Sequence, residues 1–124
     1  MKDKRPVNLD IGTMRLPITA WTSITHRATG VLLFAGMGVF IWALDASLAS
    51  PESFAELRQC LETPLARFVI WVIVSALIYH MLAGVRHLIM DLGIGETMEG
   101  GVRGARIVIG LSIVLILLTG VLLW

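Results

Sequence analysis

The stretch from Leu65 to Asp91, LARFVIWVIVSALIYHMLAGVRHLIMD, decides how this chain is read. It is long enough to cross the roughly 30 Å hydrocarbon core of a bilayer as one α-helix, and it holds a histidine, His80, within its apolar run. Asp91 lies eleven residues beyond His80. At the helical rise that separation is roughly 16 Å, about half the hydrocarbon thickness and too deep for a side chain to snorkel out. Hydrocarbon offers an imidazole no water. A histidine at that depth needs a partner across the bundle, a place in a proton path, or a metal.

Working outward, the 124 residues are 56% hydrophobic and 15% charged, more apolar surface than a soluble domain of this size can cover. Three apolar segments give spans at about 20–49, 65–91 and 105–124. The expected fold is an all-α membrane protein of three transmembrane helices, with residues 1–124 forming one anchor domain. Three helices enclose little interior, so a membrane partner is expected. Ser50-Pro51-Glu52 is a helix-start signal for a short amphipathic stretch ending at Leu61. Residues 92–104 hold Gly93, Gly95, Gly100, Gly101 and Gly104, which predict a flexible or tightly turning connection. The third span, with Gly110, Ser112, Thr119 and Gly120 as its small residues, reads as scaffold. The one cysteine, Cys60, excludes an internal disulfide.

Charge sets the orientation. Lys2, Lys4, Arg5, Arg15 and Arg27 precede or open the first span, and Arg86, Arg103 and Arg106 flank the second connection. The first connection holds Glu52, Glu56 and Glu62 against Arg58 and Arg67. The positive-inside rule then gives a cytoplasmic N-terminus, an outer first connection and a cytoplasmic second one. Residues 1–20 carry Asp3 and Asp10 with Pro6 and Pro17, which fits neither a signal peptide nor a transit peptide. The first span is therefore expected to act as its own insertion signal, with Pro17 at its first turn. Trp21 belongs to the inner headgroup level and Trp42, Trp71 and Trp124 to the outer one, as an interfacial aromatic belt.

In that frame polar residues meet at one membrane level. Ser23, His26 and Arg27 open the first span, and Arg86, His87 and Asp91 close the second. His80 and His87, seven apart, share a helical face, with Gly84 on nearly the same stripe. A glycine one turn from a ligating histidine leaves room for a flat macrocycle, so His80 could hold a haem iron with its propionates toward the basic groups. A bonded structural imidazole remains the competing explanation. For Arg27, Arg86 and His26 taken singly, topology alone accounts for a basic residue there. Asp45, near the outer end of the first span, has no assigned role. A six-coordinate electron-transfer haem needs two axial ligands, and His26 and His87 read as too close to the inner surface to share an iron with His80. The second ligand is expected from another polypeptide.

Two motifs make the chain recognisable. Arg5-Pro6-Val7-Asn8-Leu9-Asp10, Pro17-Ile18-Thr19-Ala20 and Ser23-Ile24-Thr25-His26-Arg27-Ala28-Thr29-Gly30 come first; Tyr79-His80-x-x-x-Gly84-x-Arg86-His87-x-x-x-Asp91 follows. Together they resemble the cytochrome b556 membrane anchors of bacterial succinate dehydrogenase (succinate:quinone oxidoreductase, respiratory complex II), over the whole chain. The resemblance implies half of a heterodimeric anchor bundle in a bacterial inner membrane, multi-pass with the N-terminus cytoplasmic. It implies one haem b shared with a second anchor subunit that supplies the other ligand, and attachment to an iron–sulfur subunit and a flavoprotein subunit at the cytoplasmic face. His80 corresponds to the axial ligand, Ser23, Ile24 and Arg27 to the ubiquinone site, and His26 and Arg27 to the vicinity of the haem propionates. Such a subunit does not oxidise succinate. It helps pass electrons from succinate to ubiquinone, in the respiratory chain and the tricarboxylic acid cycle. No nucleic-acid partner is expected.

The residue types suit that chemistry in their own right. A quinone in a low-dielectric pocket needs donors for its carbonyl oxygens as negative charge develops, and Ser23 offers a hydroxyl and Arg27 a fixed charge. Four residues separate them, so both can face one cavity. Asp91 is a candidate for passing protons inward. The competing readings are a fumarate reductase anchor running in reverse, a small transporter or proton relay using His80, His87 and Asp91, and a purely structural assembly subunit.

Overall fold

The computed structural model describes residues 17–124. The Arg5–Asp10 motif and the basic residues before Pro17 lie outside the described residues. Four helices follow in order: α1 Ile18–Ala49, α2 Pro51–Leu61, α3 Pro64–Asp91 and α4 Met98–Leu123. α1, α3 and α4 are each long and apolar enough to cross a membrane.

Each helix start has a local cause. The Ser50 side chain accepts the Ser53 N–H at 3.0 Å with Pro51 in the first turn, so the Ser-Pro-Glu signal does start α2. Thr63 accepts from Ala66 at 3.3 Å ahead of α3, and Thr97 accepts from Gly100 at 3.1 Å ahead of α4. Pro17 stands one residue outside α1 rather than in its first turn, in extended backbone. The connection between α3 and α4 turns at Gly93 and Gly95, whose φ values of 85° and 72° lie in the left-handed region that side chains disfavour.

α4 begins seven residues before the expected 105. Gly100, Gly101 and Gly104 are helical, not part of the turn. In sequence they look like breakers because glycine weakens a helix in water. Between helices in lipid a missing side chain instead permits close approach. Gly101, Ala105, Val108 and Ser112 are the buried residues of α4, a stripe of mostly small side chains at helical spacing.

α3 is the central helix, packed on α1 along one side and on α4 along the other. Gly36 of α1 lets Ile73 of α3 approach, since a Cβ there would sit 3.1 Å from Ile73 Cγ2. At the far end the Trp71 indole N–H donates to the Ile116 carbonyl at 2.9 Å, and its ring meets Trp124 edge-on at 6.3 Å. These two tryptophans share one end of the bundle. Little side-chain volume is enclosed: Phe34, Leu48 and Leu122 are more than three-quarters exposed, as suits a surface met by lipid or by another membrane chain.

Candidate functional site

The polar residues gather where α1 begins and α3 ends. Threonine makes polarity tolerable in this part of α1, because its hydroxyl can bond a carbonyl of its own helix. Thr22 Oγ1 donates to Thr19 O at 2.8 Å, Thr25 Oγ1 to Trp21 O at 2.6 Å, and Thr29 Oγ1 to His26 O at 2.8 Å. Tyr79 of α3 reaches across, its hydroxyl donating to Thr22 O at 3.2 Å and pairing with Thr25 Oγ1. This fixes the register of α3 against α1 one residue from His80.

His80 is held through one nitrogen. Its Nδ1 lies 3.0 Å from the His26 carbonyl and 3.1 Å from Thr29 Oγ1. A carbonyl only accepts, so Nδ1 is the donor in this contact, which leaves Nε2 as the nitrogen open to a ligand. That arrangement is typical of a metal-ligating histidine, whose second nitrogen donates to a carbonyl or carboxylate.

The His26 ring stacks on the His80 ring, centroids 4.1 Å apart and planes 13° from parallel. This corrects the expected difference in depth: His26 lies level with His80. His26 falls eight residues into α1 and His80 eleven before the end of α3, so antiparallel packing brings them level. Stacked face to face, the two rings do not oppose each other edge-on across a common ligand position. Two glycines border the stacked pair. A Cβ at Gly30 would lie 3.1 Å from His80 Cε1, whereas one at Gly84 would meet His26 Nε2 at 3.6 Å.

Next to this pair, between α1 and α3, opens a cleft of about 200 Å³ lined by Thr22, Ser23, His26, Arg27, Ala83, Arg86 and His87. Its lining is neutral or basic throughout. Ser23 and Arg27, both exposed, face it together; Ile24 is half-buried and lies off its lining. At this volume the cleft falls below the ~300 Å³ at which enclosed small-molecule sites begin. Asp91 lies outside the lining, with its Oδ1 4.0 Å from His87 Nε2 and both side chains mostly in solvent. Among the described residues no group of three His, Cys, Asp or Glu side chains is placed to hold a metal ion.

The chain matches the family model described as succinate dehydrogenase/fumarate reductase transmembrane subunit over residues 1–119. It belongs to that family. The succinate dehydrogenase cytochrome b556 subunit of Coxiella burnetii is 40% identical over 125 residues, covering all of both chains. That of Paracoccus denitrificans is 36% identical over 95% of this chain and 91% of its own. The mitochondrial succinate dehydrogenase cytochrome b560 subunit of Sus scrofa is 36% identical over 88% of this chain and 66% of its own. Family membership and the three apolar helices make this a multi-pass membrane protein, a transmembrane subunit of the succinate dehydrogenase/fumarate reductase family.

One hydroxyl beside His80 and one contact of Arg86 are not evident in the sequence of this transmembrane subunit. Thr29 stands three residues after His26 inside the quoted motif, and that spacing was the available signal for a hydroxyl beside the His26 carbonyl. Arg86 was visible, but its contact with α4, the Nη2 donating to Gly101 O at 3.0 Å, depends on a helix start the glycines concealed.

Proposed function

We propose that this chain is a haem b-binding membrane anchor of a succinate:ubiquinone oxidoreductase in a bacterial inner membrane, paired with a second anchor and joined to an iron–sulfur and a flavoprotein subunit. The observation that carries the reading is a juxtaposition. His80 offers a free Nε2 within an apolar helix, and Ser23 and Arg27 open onto a carboxylate-free cleft beside its stacked partner His26. The relatives named cytochrome b556 subunits support a b-type haem.

The donor set fits that group: an imidazole held through Nδ1 for the iron, and His26 and Arg27 close by for the propionates. When bound, the haem supplies a one-electron redox centre inside the hydrocarbon. His80 would hold its iron through Nε2, and the other ligand would come from the second anchor, because this chain's neighbouring imidazole is stacked on His80.

Ubiquinone takes two electrons and two protons to become ubiquinol, the electrons coming from the iron–sulfur subunit. Ser23 donates a hydrogen bond to a quinone oxygen, and Arg27 offsets the negative charge that arrives there before the protons do. Ile24 contributes apolar contact once the partner completes the pocket. Protons enter from the cytoplasmic face, where His87 and Asp91 stand in water. Residues 1–124 act as one anchor domain with the N-terminus cytoplasmic. Succinate oxidation belongs to the flavoprotein.

The test is activity with two acceptors. Arg27→Ala or Ser23→Ala in the assembled complex should lower quinone reduction by about tenfold or more, while succinate oxidation by an artificial dye persists. Equal loss of both activities in a fully assembled complex would contradict the assignment.

A further inference from the structure

α4 does more than scaffold the bundle, because it sets the position of one cleft residue. Arg86 lines the wall that α3 contributes. Its side chain lies along α4: Nη2 donates to the Gly101 carbonyl at 3.0 Å. A Cβ at Gly104 would come within 3.0 Å of Arg86 Nε and 3.5 Å of Cδ. A Cβ at Gly101 would lie 4.0 Å from Nη2 and 3.5 Å from Thr19 Cγ2. The two glycines thus form a ledge that the guanidinium needs. Arg86 Nε is buried without a hydrogen-bond partner, and among the described residues no carboxylate is within ion-pair distance of the group. Arginine keeps its charge in such surroundings where lysine would yield it, and its planar fork can bind two oxygens while held from behind.

We propose that Arg86 is a second quinone-binding cation of the cleft, and that Gly101 and Gly104 of α4 are the positioning residues that aim it. Resting on the quinone-site reading above, this adds a group that faces the quinone oxygens from the α3 wall, as Arg27 does from the α1 wall. Arg27 is exposed on α1. Arg86 is tied to a carbonyl and wedged against backbone, so its charge is in place before electrons arrive, the condition under which a charge stabilises best. The ligand class is a 1,4-quinone headgroup, recognised through its carbonyl oxygens.

The experiment is a double-mutant cycle in the assembled, haem-loaded complex, with a short-chain ubiquinone as probe and rates normalised to dye-linked succinate oxidation. Arg86→Gln should lower kcat/KM for the quinone about tenfold or more. Gly104→Ala, which pushes Nε off its ledge, should lower it about threefold on the wild-type background and not further when combined with Arg86→Gln, the mark of one residue acting through another. Arg86→Lys gives up the fork and, in these surroundings, part of the charge, and should fall between wild type and Arg86→Gln. It supplies the comparison if Arg86→Gln does not assemble. Arg86→Gln or Arg86→Lys within twofold of wild type, with Arg27→Ala strongly impaired, overturns the role of Arg86 and leaves the quinone site standing. Full activity in the Arg27→Ala complex as well overturns the site itself. Losses from Gly104→Ala and Arg86→Gln that multiply would separate the ledge from the arginine.

Discussion

His80 depends on two α1 groups for the state of its ring. The His26 carbonyl fixes the proton on Nδ1, and Thr29 Oγ1 accepts part of the same hydrogen bond while donating its own to that carbonyl. Outer hydrogen-bond partners of this kind are worth about 10–100-fold in metal affinity. Thr29→Val removes one acceptor while the carbonyl remains, so the low end of that range is expected: less haem per complex, or a shifted haem midpoint potential. Full haem content with an unchanged potential would show that Thr29 contributes nothing. Several of these residues were legible from the sequence because their chemistry is costly in hydrocarbon: His80 by its depth, Ser23 and Arg27 by their spacing. Their neighbours across the bundle were not. Periodicity says which face of a helix a residue occupies, but not how far one helix slides along another. The stacking of His26 on His80, and the approach of Gly30 to His80 and of Gly84 to His26, follow from that slide.

Among the helices, glycines are the points where packing distance is set. Gly36→Val would drive a side chain into Ile73 of α3, since even a Cβ falls 3.1 Å from Cγ2. Overpacking of this sort costs about 1–3 kcal/mol, so the purified complex should lose its anchor subunits at a lower temperature than wild type. An unchanged transition would mean that α1 and α3 separate freely there. Thr97→Ala removes the side-chain cap of α4, with an expected loss of about 0.5–2 kcal/mol, read in the same melting experiment. The spans themselves were legible, because nothing but a transmembrane helix accommodates such long apolar runs. The first turns of α4 were not. Gly100, Gly101 and Gly104 look like a loop in sequence, and only the proximity of Gly95 to the first and of Arg86 and Thr19 to the others shows why a helix carries them.

For the whole molecule, orientation has a built-in reporter. Cys60 is the chain's one cysteine and is exposed on α2, in the connection expected outside. A membrane-impermeant maleimide should label this subunit in right-side-out vesicles and not in inverted ones, with Cys60→Ser as the blank. The reverse pattern would place the N-terminus outside and undo the positive-inside reading. The exposed apolar faces of all three spans, and a cleft too small to enclose a headgroup alone, fit a subunit whose site is finished by a partner. That the partner shares a haem with His80 is the central claim. It is tested most directly by reduced-minus-oxidised optical spectra of the complex purified with its partner subunits, wild type against His80→Ala. A low-spin b-type signal in the wild type that is altered or lost in the variant is the expected result. An identical signal in both, or none in either, would contradict the account.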